Sequence, residues 1–492
     1  MTNETLLLLA VFTPIAGAFF LPLLKLLSAD VRNGAALCFV VTSLVCALML
    51  IPSAMAGNPA FISVALPYGF DFVLRADGLA VFAAAMSSLI SSIIVLYSMS
   101  YISHYEYQDE YYFMVVLFLG SMMGLVFSSN LIWLYVFWEL TAIASWRLIG
   151  FFREKQHVVR ADKAFLVTGF GALAMLAGFV ILGVQHGSIG QHGGEPRFAF
   201  NLLALRGQSI SGLAAGLIML GILSKSATLP FQTWLPDAGV APSPVTALLH
   251  AAVLVKIGVY VYARLFVVTF DIGSCGRTAV LVVAAASALI SAGAALKETD
   301  LKRLIAYSTI SQIAFIFFGL AVGGLTGKAA EIGATGALLY ILMHGLAKGG
   351  LFLCAGIVEQ RTHTKDLRQL GGLARTMPLT AIAFLLCSFS VMGIPPFGGF
   401  FAKYMVFSAA AESGRIGIAL VFLVAAFLTI AYLFRAFSMV FLGEPKSSQA
   451  TEGSPVMVAS VVGLAALSLA GGLFIYPCAR FAQAAALQML GK

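Results

Sequence analysis

The sequence predicts an all-α, polytopic membrane protein in which a single membrane domain, 1–492, crosses the bilayer about fourteen times. Hydrophobic residues make up 60% of the chain and charged residues only 10%, whereas soluble domains carry about 25% charged residues. The apolar residues also form long runs, and a helix that crosses about 30 Å of hydrocarbon needs about 20 mainly apolar residues. So much apolar surface has to face lipid.

Short polar connections separate the apolar runs. The first run follows Asn3 and Glu4 without a basic segment and is long enough to span, so it predicts a first transmembrane helix and not a cleaved signal peptide. The longest connections, 54–76 and 185–210, are modest, which favours one membrane domain. The approximate spans are 5–27, 34–54, 77–101, 112–128, 131–152, 163–185, 211–235, 244–267, 277–296, 303–323, 332–358, 377–410, 416–441 and 455–476.

Basic residues in the connections predict which way the protein is inserted. The formal net charge is +8, and it comes mostly from short connections, so it reports topology and gives no indication of a nucleic-acid partner. Connections after odd-numbered spans, such as 152–163 and 359–375, hold more lysine and arginine than those after even-numbered spans. By the positive-inside rule, we expect the odd-numbered connections in the cytoplasm and both termini on the periplasmic side of the cell inner membrane.

Prolines interrupt the seventh and twelfth predicted spans. The strings S-K-S-A-T-L-P-F at 224–231 and I-P-P-F-G-G-F-F-A-K at 394–403 each place a lysine close to a Pro-Phe break. Proline breaks or kinks a helix, and free backbone at membrane depth is tolerated only inside protein or beside water. Interrupted helices at corresponding places in two halves predict an inverted-repeat transporter with its site near the midplane.

Two ionisable residues lie inside the fifth and seventh spans. Glu139 is eight residues into its span, which places it about 12 Å deep at 1.5 Å per residue. Lys225 precedes Pro230, so we expect water or a partner within its reach. The structural alternatives are a protonated Glu139 bound to a neighbouring helix and a Lys225 that snorkels from a helix end.

The eighth and eleventh spans each hold a histidine and a lysine. Lys256 lies midway along the eighth span, six residues after His250, an offset of about 120° on a regular helix, so the two are expected to face different neighbours. His344 and Lys348 lie at i and i+4 on one face, about 6 Å apart along the axis. Because imidazole titrates near neutrality, this second pair is predicted to pass a proton.

Taken together, the buried charges predict a polar axis through the protein. The twelfth span adds Lys403 after its double-proline break. One charge at the bilayer centre costs about 2.5–3.5 kcal/mol, so four lysines and one glutamate cost on the order of 10 kcal/mol unless water or partners relieve them. A hydrated pathway for protons or cations explains the set better than a purely structural role. Three glycines beside the eleventh-span pair are predicted to allow close helix packing: Gly345, Gly349 and Gly350.

No motif for a cofactor, a metal or a catalytic residue is predicted. The six cysteines are scattered without a C-x-x-C pair, and nothing resembles a phosphate-binding loop, a haem-ligating histidine pair or a nucleophile elbow. Arg147, near the end of the fifth span, is expected to snorkel to the surface, although it lies on a similar face to Glu139.

These motifs resemble the antiporter-like proton-translocating subunits of respiratory complex I, which are shared with Mrp-type sodium/proton antiporters and membrane-bound group 4 hydrogenases. The matches run from the third to the thirteenth span, and several are long and in the same order. The matching strings are D-G-L at 77–79, F-W-E-L-T at 137–141, S-K-S-A-T-L-P-F-Q-T-W-L-P-D-A at 224–238, A-P-S-P-V-T-A-L-L-H-A-A at 241–252, D-L-K-R-L-I-A-Y-S-T-I-S-Q at 300–312 and H-G-L-A-K-G-G-L-F at 344–352.

The resemblance implies a fourteen-helix core with two inverted repeats of five helices, broken at helices 7 and 12. Its divisions would be 1–110 for helices 1–3, 111–270 for the first repeat, 271–441 for the second repeat and 442–492 for helix 14.

The resemblance also implies roles for matching residues. Glu139 and Lys225 would form the coupled charge pair of the first half-channel. Lys256 would be the connecting residue, and Lys348 with His344 would be the central relay.

Three further residues complete the predicted proton pathway. Lys403 would be the terminal lysine towards the periplasmic exit, and Lys302 matches another lysine of the axis. His250, six residues before Lys256, is also included in the predicted pathway. Lysine at 403 is similar to the distal complex I subunit or the N-terminal part of the Mrp A subunit. The chain is expected to lack the lateral helix of the former and the extra domains of the latter.

The function predicted first is a proton-translocating subunit of a redox-driven complex, such as NADH:quinone oxidoreductase or a related hydrogenase, with no redox centre of its own. The alternative is a subunit of an Mrp-type Na+/H+ antiporter or of a proton-coupled inorganic-carbon uptake complex. A non-conducting scaffold is a further rival. The expected partners are other membrane subunits and the lipid bilayer, and the expected ions are protons or sodium.

Overall fold

The computed structural model describes residues 1–67, 70–186, 189–192, 195–198, 200–446 and 450–492. Within these ranges, twelve helices are long and apolar enough to cross a membrane. Two further spans are each divided into two helices. The predicted all-α membrane class, with its seventh and twelfth spans broken, is confirmed.

The helices follow one another through short connections. Up to the first break they are α1 (Asn3–Leu24), α2 (Ala29–Met55), α3 (Gly78–Tyr101), α4 (Gln108–Phe127), α5 (Leu131–Ile149), α6 (Lys155–Gln185) and the short α7 (Leu202–Leu205). The seventh span is α8 (Gly212–Lys225) and α9 (Trp234–Asp237), and the eighth is α10 (Ser243–Ala247) continued by α11 (Leu254–Ala263). The remainder are α12 (Gly273–Lys297), α13 (Leu301–Val322), α14 (Gly327–Thr362), α15 (Pro378–Met392), α16 (Gly398–Glu412), α17 (Ile416–Phe441), α18 (Pro455–Leu473) and α19 (Ile475–Met489).

Local capping explains part of two motif strings. The D-G-L string begins with Asp77, whose side chain accepts from the Ala80 amide at 3.1 Å and starts α3. The D-L-K-R string begins with Asp300, which accepts from the Arg303 amide at 3.0 Å and starts α13. A carboxylate at the N-cap satisfies an amide that has no partner in the first turn.

The two longest connections each hold an antiparallel hairpin. The first pairs β1 (Ala60–Val64) with β2 (Phe72–Ala76), and the second pairs β3 (Ile189–His192) with β4 (Glu195–Phe198). The sequence predicted only polar connections in these two segments, so the hairpins are a first correction. A second correction concerns 152–163, because α6 already begins at Lys155. Hydropathy marks the part of a helix that faces lipid and does not report turns that continue into water.

Burial separates an inner set of helices from an outer set. In α13, in α14 and in the eighth span, 94% of the most apolar window is buried inside the protein. The same share is 28% in α17 and 33% in α2, so these helices present most of their surface outward, to lipid. The inner helices are the ones that carry most of the predicted site.

One helix follows the fourteenth span and was not predicted. In α19, Gln488 accepts from the Gly78 amide at 2.9 Å and donates to the Ala54 carbonyl at 2.6 Å. Gln483 donates to Glu331 at 3.1 Å. The helix therefore joins the end of α2 to the starts of α3 and α14.

A charged cluster anchors the second half of the broken seventh span. Asp237, the last residue of α9, accepts from Lys163 of α6 at 2.7 Å and from Arg303 of α13 at 2.6 Å. Burial raises the pKa of Asp237, but the hydrogen bonds and charges of Lys163 and Arg303 outweigh it and hold the pKa below its usual value. The carboxylate thus stabilises the fold in its ionised form.

Replacing Asp237 with Asn is expected to destabilise the protein by about 1–3 kcal/mol at neutral pH, because two charge-assisted hydrogen bonds are weakened. Since the pKa is lowered on folding, this contribution is present above the unfolded pKa of about 3.9 and is lost as the pH falls through the folded value. Thermal unfolding of the detergent-solubilised protein at pH 7 and near pH 3 measures both effects. Asp30→Asn, at an exposed position in the first turn of α2, is the control. A D237N deficit that is equally large at both pH values contradicts the assignment.

Candidate functional site

Five lysines lie inside the helix bundle, and their ammonium groups share one kind of partner. Each donates a hydrogen bond to a backbone carbonyl oxygen. Their exposed fractions are between 0% and 5%, so the carbonyls take the place that water has at a surface. The five are Lys225, Lys256, Lys302, Lys348 and Lys403.

Lys225 is the last residue of α8, where the helix breaks. Its Nζ donates to the carbonyl of Trp138 at 3.2 Å and lies 5.2 Å from the centre of a Trp138 ring. The C-terminal end of a helix carries partial negative charge and favours a cation. The break therefore places an ammonium at an end where the backbone stabilises it.

Glu139 is partly exposed and follows Trp138 directly on α5. No direct ion pair joins it to Lys225 among the described residues, and its Oε1 has no hydrogen-bond partner there. Its negative charge nevertheless acts on the Lys225 ammonium electrostatically. The structure therefore brings Glu139 close enough to Lys225 for their charges to interact, without a direct contact.

The eighth span is not a regular helix, which corrects one expectation. Residues Leu248–Ala252 form a π-helix, and Val253 leaves helical geometry with φ −126° and ψ −75°. A π-turn adds a residue and disturbs the carbonyl pairing around it. The Lys256 ammonium donates to the carbonyl of His250 at 3.3 Å and to that of Ala251. The predicted offset of 120° between His250 and Lys256 assumed a regular helix and does not apply.

Both predicted histidines are fully buried, and neither ring nitrogen of either has a hydrogen-bond partner among the described residues. The His250 ring lies 4.3 Å from the Phe352 ring, and the His344 ring lies 6.0 Å from the Tyr340 ring. Buried polar groups without partners are rare in folded proteins. No hydrogen bond within the described chain therefore occupies these nitrogens.

Lys348 and Lys403 continue the row. Lys348 shares α14 with His344 without a hydrogen bond between them, and its Nζ donates to the Ile305 carbonyl at 3.2 Å and to Ser308 Oγ at 2.6 Å. Lys403, on α16, reaches back across the second break to the carbonyl of Val391 in the last turn of α15, at 2.7 Å. A break again supplies the acceptor.

Lys302 lies beside a cavity at one end of this row and has an acidic partner that was not predicted from the sequence. Its Nζ donates to Glu359 at 3.0 Å and to the Ala241 carbonyl at 2.8 Å. Both side chains line a cavity of about 600 Å³, together with Tyr101 and Tyr105. Glu359 was placed at the start of a connection, yet it belongs to the same helix as Lys348.

Arg147 does not act as expected. Its guanidinium binds Glu110 in the first turn of α4 through two hydrogen bonds, the second at 3.0 Å, and Arg153 binds the same carboxylate. The side chain therefore forms an ion pair that holds α5 against α4. Snorkelling into water is not its main role.

Glycines permit the close helix contacts around the site. A Cβ on Gly350 would lie 2.3 Å from Cys387 Sγ, and one on Gly345 would lie 2.5 Å from Ile90 Cδ1, so the predicted close packing is confirmed. Another close contact involves Gly258, two residues after Lys256. A Cβ there would lie 2.6 Å from the Ile222 carbonyl and 2.0 Å from Ser226 Oγ, on either side of Lys225.

Two broken helices and a buried row of lysines on carbonyl oxygens define a polytopic membrane protein with a charged interior axis. Residues 128–429 match the family described as NADH:quinone oxidoreductase/Mrp antiporter, TM. The chain belongs to this family.

Curated relatives and solved structures agree with the assignment. The chain is 33% identical over 495 residues to the Na(+)/H(+) antiporter subunit A1 of Staphylococcus haemolyticus (strain JCSC1435), covering 96% of this chain and 61% of the relative. It is 35% identical over 438 residues to the subunit A1 of Staphylococcus saprophyticus, covering 83% of this chain and 53% of the relative. It therefore spans less than two thirds of these relatives' length.

The fold is shared with chains of two solved complexes. One is the Mrp complex from Dietzia sp. DQ12-45-1b, with a TM-score of 0.86, 24% identity and coverage of 100% of this chain and 98% of that chain. The other is the membrane-bound sulfane sulfur reductase, an archaeal respiratory membrane complex, with a TM-score of 0.86, 22% identity and coverage of 99% and 98%.

Replacing Gly258 with Ala is expected to destabilise the protein by about 1–3 kcal/mol, because the added methyl meets a backbone carbonyl that cannot move away. Gly349→Ala is the matched control, since its Cβ would meet only side chains at 3.3 Å or more and alanine is the better helix former. Thermal unfolding in detergent compares the two. Equal stability of both variants would contradict the close α8–α11 contact.

Proposed function

We propose that this chain is an antiporter-like, ion-translocating subunit of a larger membrane complex, and that protons move along its buried row of lysines. The observation that carries the proposal is the carbonyl partner of every lysine in the row. An amine can donate to a carbonyl in both its charged and its neutral form. Each lysine can thus lose a proton and keep its hydrogen bond.

The proposed pathway comprises all the residues predicted from the sequence, with Glu359 added at the entrance. Protons would enter through the cavity at Lys302 and Glu359. They would then move along the interior groups towards either broken helix. The interior groups are His250, Lys256, His344 and Lys348, and the groups at the two breaks are Lys225 with Glu139 and Lys403.

Charge coupling at Glu139 would drive release. A nearby carboxylate stabilises the ammonium form of Lys225, and a partner that moves the two apart favours loss of the proton. The absence of a direct ion pair between them, within the described chain, leaves this distance adjustable.

The parent complex proposed is of the Mrp type. The curated relatives are each named Na(+)/H(+) antiporter subunit A1. Their names support the Mrp-type complex, which the sequence analysis gave as the alternative to a redox-driven complex. A redox-driven complex is the second candidate, because the family description also includes NADH:quinone oxidoreductase. In either case we expect other membrane subunits as partners.

We also propose the predicted division into inverted repeats at 111–270 and 271–441. The odd-numbered connections would lie on the cytoplasmic side of the cell inner membrane. The likeness of the two breaks supports the repeats. Each break lies next to a proline, Pro230 or Pro396, and each has a buried lysine beside it, Lys225 at the end of the first half-helix and Lys403 within the second.

Lys225→Ala and Glu139→Ala are each expected to reduce ion translocation to background, because both remove one member of the coupled pair. Everted membrane vesicles that contain the intact complex allow the proton gradient to be followed with a pH-sensitive dye. Proton movement on addition of sodium supports the Mrp-type complex, and movement that needs an electron donor supports the redox-driven one.

Lys328→Ala is the control for these variants, because Lys328 is exposed at the start of α14. The amount of assembled complex is measured by immunoblot in parallel. Normal translocation by both the Lys225 and Glu139 variants would rule out the proposed mechanism and favour a scaffold.

Glu359→Gln is expected to slow translocation at least about tenfold, since a positioned proton-transfer group typically contributes 10²–10⁴-fold. The amide keeps the size of the side chain and removes its ability to take a proton. Glu412→Gln, at an exposed helix end, is the control in the same vesicles. An unchanged rate would place the entrance elsewhere.

A further inference from the structure

A chain of hydrogen-bonded side chains lies between Lys348 and Lys403, and no role has yet been assigned to it. Lys348 donates to Ser308 Oγ at 2.6 Å. The Tyr432 hydroxyl donates to Ser308 Oγ at 2.7 Å and lies 3.3 Å from Thr429 Oγ1. All of these groups are buried, so they bind one another and not solvent.

The second part of the chain leads to Lys403. Gln312 donates through Nε2 to Thr429 Oγ1 at 3.1 Å, and its Oε1 accepts from the Tyr340 hydroxyl at 2.5 Å. The Tyr340 ring lies 5.5 Å from the Lys403 ammonium. Three helices contribute to this chain: α13, α14 and α17.

Gln312 differs chemically from its neighbours. A hydroxyl group can accept one proton and release another, whereas the amide nitrogen of glutamine is a donor with no site to accept a proton. Thr429 itself donates to the Ala425 carbonyl at 2.8 Å, so it receives the Gln312 N–H. A proton that reached Thr429 would therefore find no acceptor at Nε2.

We infer that Gln312 is a proton barrier: it completes the hydrogen-bonded chain from Lys348 to Tyr340, whose ring lies beside the Lys403 ammonium, but prevents protons from passing along it. This inference rests on the proposed function. A continuous route of hydroxyl groups would let protons move between the two lysines without coupling to the driving reaction of the complex. The amide fixes Thr429 and Tyr340 in place and blocks that side-chain route, so the transfer from Lys348 to Lys403 in the proposed pathway is left to water.

The position of Gln312 agrees with this role. It ends the motif string at 300–312, four residues after Ser308, so both side chains lie on one face of α13. The string supplies the first relay group and the barrier from the same helix.

Gln312→Glu tests the inference, because a carboxylate can accept a proton and the amide nitrogen cannot. Lys348 would lose one proton to Ser308 Oγ, and each hydroxyl along the chain would take one proton and give up its own. The carboxylate at 312 would become a carboxylic acid, and rotation of the carboxyl group would turn the same proton towards the Tyr340 hydroxyl. Tyr340 would take it up while its own hydroxyl proton passes through water to the neutral amine of Lys403. We expect the passive proton leak of the variant to rise at least about tenfold.

The leak is measured in proteoliposomes that contain the intact complex, after a membrane potential has been imposed and without any driving ion or electron donor. The wild type and Gln312→Leu are expected to show equally low leaks. Adding Tyr432→Phe to Gln312→Glu removes one hydroxyl from the route and should restore the low leak. Adding Tyr262→Phe instead, at a buried tyrosine of α11 outside the chain, should leave the leak high.

A normally assembled Gln312→Glu complex with a wild-type leak would overturn the inference, and so would a leak that persists after Tyr432→Phe. If the glutamate variant does not assemble, Gln312→His offers the same test, because imidazole accepts on one nitrogen and releases from the other. Loss of translocation in Lys225→Ala alongside an unchanged leak in Gln312→Glu would defeat only this inference. Normal translocation by the Lys225→Ala variant would instead overturn the proposed function.

Discussion

The rest of the structure depends on one constraint: an ammonium group inside an apolar helix bundle needs an oxygen to donate to. Regular helices offer few, because their carbonyls are already paired. This protein obtains some of them by disturbing helices. The second broken span frees a carbonyl near Val391 for Lys403, and the π-helix before Lys256 frees those of His250 and Ala251. The other interior lysines donate to carbonyls of unbroken helices or of a connection.

Acidic groups are arranged differently from the lysines. Asp237 binds two cations at one end of the bundle, and Asp77 binds Arg264 through two hydrogen bonds of 2.6 and 2.7 Å at the start of α3. These pairs lie at helix ends and fix the helices relative to one another. Among the described interior lysines, by contrast, only Lys302 has a carboxylate within hydrogen-bonding distance, that of Glu359. Ion pairs thus join the helices at the rim, and carbonyl oxygens are the partners shared by the interior lysines.

The sequence was sufficient for features that depend on residue type and order. Long apolar runs predicted the spans, proline beside lysine predicted both breaks, and lysines within apolar runs predicted the buried row. It was insufficient where the outcome depends on a distant partner. Nothing in L-L-H-A-A distinguishes a π-helix from an α-helix, and Arg147 meets Glu110 only because α4 and α5 pack together. Ser308 and Tyr432 escaped notice because buried hydroxyl groups are common, and only their distances show that they form a chain.

The length of α14 has a mechanical consequence. This one unbroken helix carries Glu359 in the cavity, Lys348 in the row and Tyr340 beside Lys403. Glu359 and Tyr340 are nineteen positions apart, so at 1.5 Å per residue the helix fixes their separation along its axis at roughly 28 Å. A rigid spacer of this kind does not shorten when a proton arrives. A change in shape of the bundle is therefore taken up by the interrupted helices beside it, while α14 keeps the distance between Glu359 and Tyr340 constant.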